Sequence, residues 1–167
     1  AEWPVGECHI LALGLETANE AIADVLALRR RRRRERNVVL LERLRDLGVD
    51  IGDEELARFA SASRSPGRLH IARLMVRKGY VRDPRQAFDR YIGPGGAAYV
   101  PKREIALDEI LAAVRAGGAV SILAHPVHLG FENRAQLERV VREMVAQGLE
   151  GIEVYHSDHT DVLTRAC

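Results

Sequence analysis

The chain has little cysteine, almost no net charge and no long apolar run. Two cysteines, Cys8 and Cys167, are too few for a disulfide framework, so a reduced, cytoplasmic setting is the default expectation. A formal net charge of +1 supplies no overall field to gather nucleic acid or an anionic membrane. No apolar stretch reaches the roughly 20 residues of a membrane-spanning helix, and the N-terminus carries no secretory pattern. No membrane partner is expected. There is no His-x-His or Asp-x-His pair and no internal repeat. What remains, 167 residues with 47% hydrophobic and 29% charged, suits one globular domain with a real core.

Three segments read as strands, and each meets a histidine. His9 lies in the first, residues 7–15, which Gly14 closes. The second, Ala119 to Leu123, follows Gly117-Gly118 and leads into Ala124-His125-Pro126. The third, Gly151 to Tyr155, runs into His156-Ser157-Asp158-His159. A buried strand that ends in histidine and then proline is how an α/β barrel presents a ligand at its open face. Between the first two strands the chain reads as helix and loop. A long helix is expected from Ala18 to Leu47, capped by Thr17 or Asn19 and ended by Gly48, with Ile22, Val25, Leu26, Val38, Leu41 and Leu44 at helical spacing. Shorter helices follow: from Asp53, from Leu69 to Lys78, from Asp83-Pro84 to about Tyr91, and from Leu107 to Ala116. Another runs from its cap Asn133 to Gln147. The expected organisation is a barrel strand region over 1–16, a helical insertion over 17–105, and βα units over 106–167.

His9 and His125 are candidate metal ligands, because neutral imidazole is the commonest protein ligand for transition metals. The other reading is that each is merely hydrogen-bonded at a strand end. Arg68 and His70 open a helix, where free N–H groups and a forked guanidinium suit a phosphate. The alternative is a capping loop with a solvated arginine. His156-Ser157-Asp158-His159-Thr160 faces a substrate or caps the last helix through Ser157 or Asp158. Arg29 to Arg34 invites a nucleic-acid reading, but consecutive helical residues lie roughly 100° apart and cannot form one stripe. Glu35, Glu42 and Asp46 offset part of the charge. A mostly solvated helix is expected, with RNA contact as the second option.

The chain resembles the PHP (polymerase and histidinol phosphatase) family, within it the small metal-dependent phosphoesterases that include nucleoside 3′,5′-bisphosphate phosphatases and 5′-to-3′ exoribonucleases. The resemblance rests on Cys8-His9-Ile10-Leu11-Ala12-Leu13-Gly14, Leu44-Arg45-Asp46-Leu47-Gly48 and Gly67-Arg68-Leu69-His70-Ile71-Ala72. It continues through Gly79-Tyr80-Val81-Arg82-Asp83, Ala87-Phe88-Asp89-Arg90-Tyr91, Gly93-Pro94-Gly95-Gly96 and Ala98-Tyr99-Val100-Pro101-Lys102. Leu123-Ala124-His125-Pro126 and Gly151-Ile152-Glu153-Val154-Tyr155 complete it. These stretches cover nearly the whole chain in the family's order. Leu69 stands where the family usually has proline.

The resemblance implies an α/β fold: a distorted (β/α)7 barrel, partial in this chain, with a helical insertion. It implies two or three divalent metal ions at the strand ends, Mn2+ first, with Zn2+, Fe2+ or Mg2+ as alternatives. Position by position, His9 and His125 match metal ligands. Arg68 and His70 match catalytic residues beside the substrate phosphate, and His159 matches a substrate-facing position. The metals would polarise the phosphate and lower the pKa of the attacking water, and Arg68 would neutralise charge developing on the phosphoryl oxygens. The family's first-strand His-x-His pair, the aspartate after it, later histidine and glutamate ligands and a last Asp-x-His fall outside residues 1–167. With no initiator methionine before Ala1-Glu2-Trp3-Pro4 and a stop inside a helix-like segment, a piece of a longer protein is expected. Open sheet edges would then make this chain poorly soluble or oligomeric. Three functions compete: a phosphatase of small nucleotides, an exoribonuclease using the same site on short RNA, and a catalytically empty fragment.

Overall fold

The computed structural model describes residues 6–15, 19–60 and 65–165. The expected cap Thr17 lies outside them. The chain divides into two compact units, one built from residues 1–27 and 104–167, the other from 28–103.

The first unit holds a three-stranded sheet in the order β1-β2-β3, with β1 at His9–Leu13, β2 at Val120–Ala124 and β3 at Gly151–Ile152. β1 runs antiparallel to β2, pairing His9 with Ala124 and Leu13 with Val120. β2 and β3 are parallel, joined through a helix as a βα unit requires, with Ile122 opposite Gly151. The Ile122 side chain lies over Gly151, and its Cδ1 would have to turn aside for any larger residue there. Ser121 is buried and fastens the same pair: its hydroxyl meets the Glu150 carboxylate at 3.1 Å, and its N–H donates to that carboxylate at 2.9 Å. β1 alternates outward and inward residues, leaving Leu11 and Leu13 exposed. Each outer strand has a sheet partner on one side only among the described residues.

The helices of this unit are amphipathic and pack their apolar stripes on the sheet. Leu107 and Leu111 of α5 (Leu107–Ala116), Leu137 and Met144 of α6 (Arg134–Ala146) and Leu163 of α7 (Asp161–Thr164) surround Leu123 of β2 and Cys8. Burial pushes the Cys8 thiol above its ordinary value. The Asn133 side chain caps α6, accepting the Gln136 N–H at 3.0 Å. Asn19 does the same for α1 (Glu20–Asp46), accepting the Ile22 N–H at 3.2 Å.

The second unit is helical. It contains most of α1, then α2 (Asp53–Phe59), α3 (Arg68–Arg77) and α4 (Pro84–Ala87). Residues 88–92 continue α4 as a wider turn, closed by a bond from Gly93 N–H to the Phe88 carbonyl. The buried positions of α1 are Asn37, Leu40, Leu41 and Leu44, spaced i, i+3, i+4 and i+7. Val38 and Leu26, expected on the apolar stripe, are exposed. Asn37 takes the inward place because its amide donates to the Pro66 carbonyl at 2.9 Å, satisfying a polar group that burial would otherwise penalise. Leu40 and Leu44 pack against Ile51, Ile71, Met75 and Ile92.

Leu44 and Leu123 are both fully buried, one in each unit's core. Truncating either to alanine is expected to cost about 2–5 kcal/mol. Thermal or urea unfolding followed by circular dichroism checks this.

Candidate metal centre

Five of the six histidines gather at one end of the sheet. His9 opens β1, and its register partner Ala124 is the last residue of β2. His125 therefore arrives beside His9, and His9 Nδ1 meets His125 Nε2 at 3.0 Å. One ring N–H donates to the other's lone pair, so the pair as it stands shares a single proton.

His125 is held in an unusual way. It has φ 30° and ψ 68°, the one described non-glycine residue in the left-handed region, and it precedes a proline, which favours extended backbone instead. Such a conformation costs about 1–2 kcal/mol and persists only where the surroundings impose it. Here the Glu153 carboxylate accepts the His125 N–H at 2.6 Å, turning the chain out of the ladder. Pro126 then opens a short turn to Leu129. This also explains why β3 is shorter than the expected 151–155. Glu153 N–H still bonds the Leu123 carbonyl at 2.8 Å, but β2 has turned away beyond it.

The turn carries His128 three residues after His125, and in a three-residue-per-turn geometry such positions eclipse. The two rings lie 4.9 Å apart. Gly6 lets the chain pass close by, for any side chain there would strike the His128 carbonyl. From the far side His156 comes within 5.3 Å of the His125 ring, and His159 within 5.5 Å of His156. The expected caps Ser157 and Asp158 do not cap α7. Thr160 does, its hydroxyl accepting the Leu163 N–H at 3.2 Å, because the helix begins only at Asp161. Asp158 instead faces His128 Nε2 at 3.2 Å.

Two ring nitrogens in this group are buried with no hydrogen-bond partner among the described residues: His125 Nδ1 and His159 Nε2. His159 Nδ1 sits 2.9 Å from the Val154 carbonyl, which can only accept, so Nδ1 carries the proton and Nε2 presents a lone pair. A carbonyl-anchored imidazole is how proteins orient histidine ligands. His9 and His125 bring two imidazole nitrogens to 3.0 Å of each other, close enough for both to be drawn onto one ion. The donors present thus fit a divalent transition metal.

Arg68 and His70 lie in the other unit. His70 Nδ1 accepts the Gly67 N–H at 3.1 Å and so closes the start of α3, in line with the capping alternative. Arg68 is not a solvated arginine. It is half-buried, with its guanidinium 5.9 Å from the Phe88 ring and 5.7 Å from that of Tyr99. Nη1 donates to the Ile92 carbonyl at 3.3 Å. Sequence reasoning missed His128 and Glu153. The His-Pro-x-His spacing signalled the first; nothing local signalled the second.

No family model matches the chain. Over 165 residues it is 29% identical to the 3′,5′-nucleoside bisphosphate phosphatase of Chromobacterium violaceum, an alignment spanning 95% of this chain and 55% of that protein. The chain is a homologue of phosphoesterases. It is also 29% identical, over 124 residues, to the 5′-3′ exoribonuclease Rnm of Salmonella typhimurium, across 74% of this chain and 42% of that one. A solved structure from Bifidobacterium adolescentis, assigned as a metal-dependent phosphoesterase, superposes with a TM-score of 0.77 at 28% identity. The match covers 95% of this chain and 56% of that one. These relatives agree with the PHP resemblance and with a mixed α/β fold. The chain spans about half the length of the curated relatives it matches. Among the described residues no helix is long and apolar enough to cross a membrane.

If the left-handed His125 serves the site and not the fold, His125→Gly should leave stability unchanged or raise it by up to about 1 kcal/mol. A thermal melt checks this; a loss beyond about 2 kcal/mol would make the ring a packing element instead.

Proposed function

We propose that the protein carrying this chain is a metal-dependent phosphomonoesterase of small nucleotides, nucleoside 3′,5′-bisphosphates first among them. The observation that carries the reading is the His9–His125 pair at the strand ends, 3.0 Å apart with His125 held in a strained backbone, in a homologue of phosphoesterases. His9 and His125 hold divalent metal, Mn2+ first, with Zn2+, Fe2+ or Mg2+ as alternatives, and two or three ions in the complete centre. Bound metal would supply Lewis acidity to the phosphoryl group and an activated water.

The chain's own residues bind and orient. His125 is aimed by Glu153 through its backbone N–H. His159 Nε2 can only accept, which suits a sugar hydroxyl or a water and not an ionised phosphate oxygen. Arg68 uses Nη1 on the Ile92 carbonyl and has further N–H groups for phosphoryl oxygens as their charge grows. Because the rings of Phe88 and Tyr99 hold it, it needs little reordering to do so. His70 fixes the helix start from which Arg68 projects, and the family resemblance makes both candidates for the substrate phosphate. The location is taken as cytoplasmic, in keeping with the sparse cysteines.

Exoribonuclease action on short RNA is the second reading. It is favoured by Rnm as a relative and by Arg29, Arg31 and Arg34, which are exposed on α1.

The test is orthophosphate release from a nucleoside 3′,5′-bisphosphate in Mn2+. Chelation is expected to abolish it and Mn2+ to restore it. His125→Ala should lower kcat/KM at least about 100-fold, and Arg68→Ala should lower kcat by about 100-fold. Activity that survives chelation, or that His125→Ala leaves intact, would sink the proposal. Cleavage of oligoribonucleotides falling steeply with salt would favour the second reading.

A further inference from the structure

We infer a second divalent transition-metal site, formed by His128, His156 and Asp158 and sharing no ligand with the His9–His125 pair. One ligating atom from each residue lies within 4.8 Å of the others. His128 Nε2 is 3.2 Å from Asp158 Oδ2, and His156 Nδ1 is 3.9 Å from the same oxygen. Donors on one tetrahedral ion lie roughly 3.3 Å apart. The first spacing already meets that; the second requires the His156 ring to turn and give up the bond that Asp158 N–H makes to its Nδ1 at 3.2 Å.

The two arms of the site are positioned by separate backbone bonds. His128 sits on the turn after Pro126, where its N–H bonds the His125 carbonyl at 3.1 Å and its own carbonyl accepts the Glu7 N–H at 2.7 Å. His156 and Asp158 sit on the turn after β3, where His159 N–H bonds the His156 carbonyl at 3.0 Å and Asp158 N–H bonds His156 Nδ1 at 3.2 Å. The His125 ring, whose Nδ1 is buried without a partner among the described residues, packs on both histidines, so three imidazoles and one carboxylate meet on one face.

Two imidazoles and one carboxylate select borderline ions such as Zn2+, Fe2+ or Mn2+ over Mg2+ or Ca2+, and they leave coordination positions open. The side chains are 45%, 25% and 55% exposed for His128, His156 and Asp158, so an ion can enter without unfolding.

Equilibrium dialysis of this chain against Zn2+, with ring-proton NMR of the histidines, tests the site without using phosphatase activity; it stands or falls apart from the phosphoesterase reading. One Zn2+ is expected to move the His128 and His156 ring resonances. His128→Gln and Asp158→Asn should each weaken that binding about tenfold or more, while His9→Gln changes it less than about twofold. Circular dichroism confirms that the variants stay folded, as their exposed positions predict. No Zn2+ bound at about 100 μM would overturn the inference. So would Zn2+-induced shifts of the His128 and His156 rings that Asp158→Asn leaves intact, or that His9→Gln weakens tenfold.

Discussion

The antiparallel register of β1 on β2 is the constraint on which the histidine cluster depends. Placing His9 opposite Ala124 brings residues 116 positions apart to 3.0 Å. A slip of one residue would turn His9 to the other face of the sheet and put Cys8, now 2% exposed, on the outside. The register is held from within by Leu123, which is fully buried among Cys8, Leu111, Leu137 and Met144. Core packing and site geometry are therefore one condition, not two.

The end of β2 is the second device. Proline stops the ladder, but proline alone does not aim a histidine. The Glu153 carboxylate captures the N–H that the ladder abandons, and His125 enters a backbone region that a side chain rarely occupies. From there the turn delivers His128 toward Asp158. A glutamate that reads as one more strand residue thus sets the place of His125 through the main chain. The second unit treats Arg68 comparably. Two aromatic rings and a carbonyl hold a side chain for which spacing alone left a phosphate clamp and a solvated place equally open.

Much of the local structure was legible in the residues. Asn133 caps the helix it was expected to cap, Asp83 caps the helix read as starting at Asp83-Pro84, and glycines close the strands and helices where they were read. Most of the errors come from competition by partners distant in sequence. Val38 lost its inward place to Asn37 because the Pro66 carbonyl was there to accept the amide. Ser157 and Asp158 lost the cap of α7 to Thr160, and Asp158 turned to His128. β3 ended early because its neighbour turned away.

The sequence by itself determined which segments are helix and strand, that histidines lie on or just after strands, and which motifs resemble a phosphoesterase. Those depend on period, caps and residue type, all local quantities. Only the tertiary structure decided which histidines meet, which ring nitrogens are left without partners, and which carboxylate serves a backbone N–H and which an imidazole. Each of those is a pairing between strands or turns far apart in the chain. Such pairings follow from register and packing, which no single segment carries.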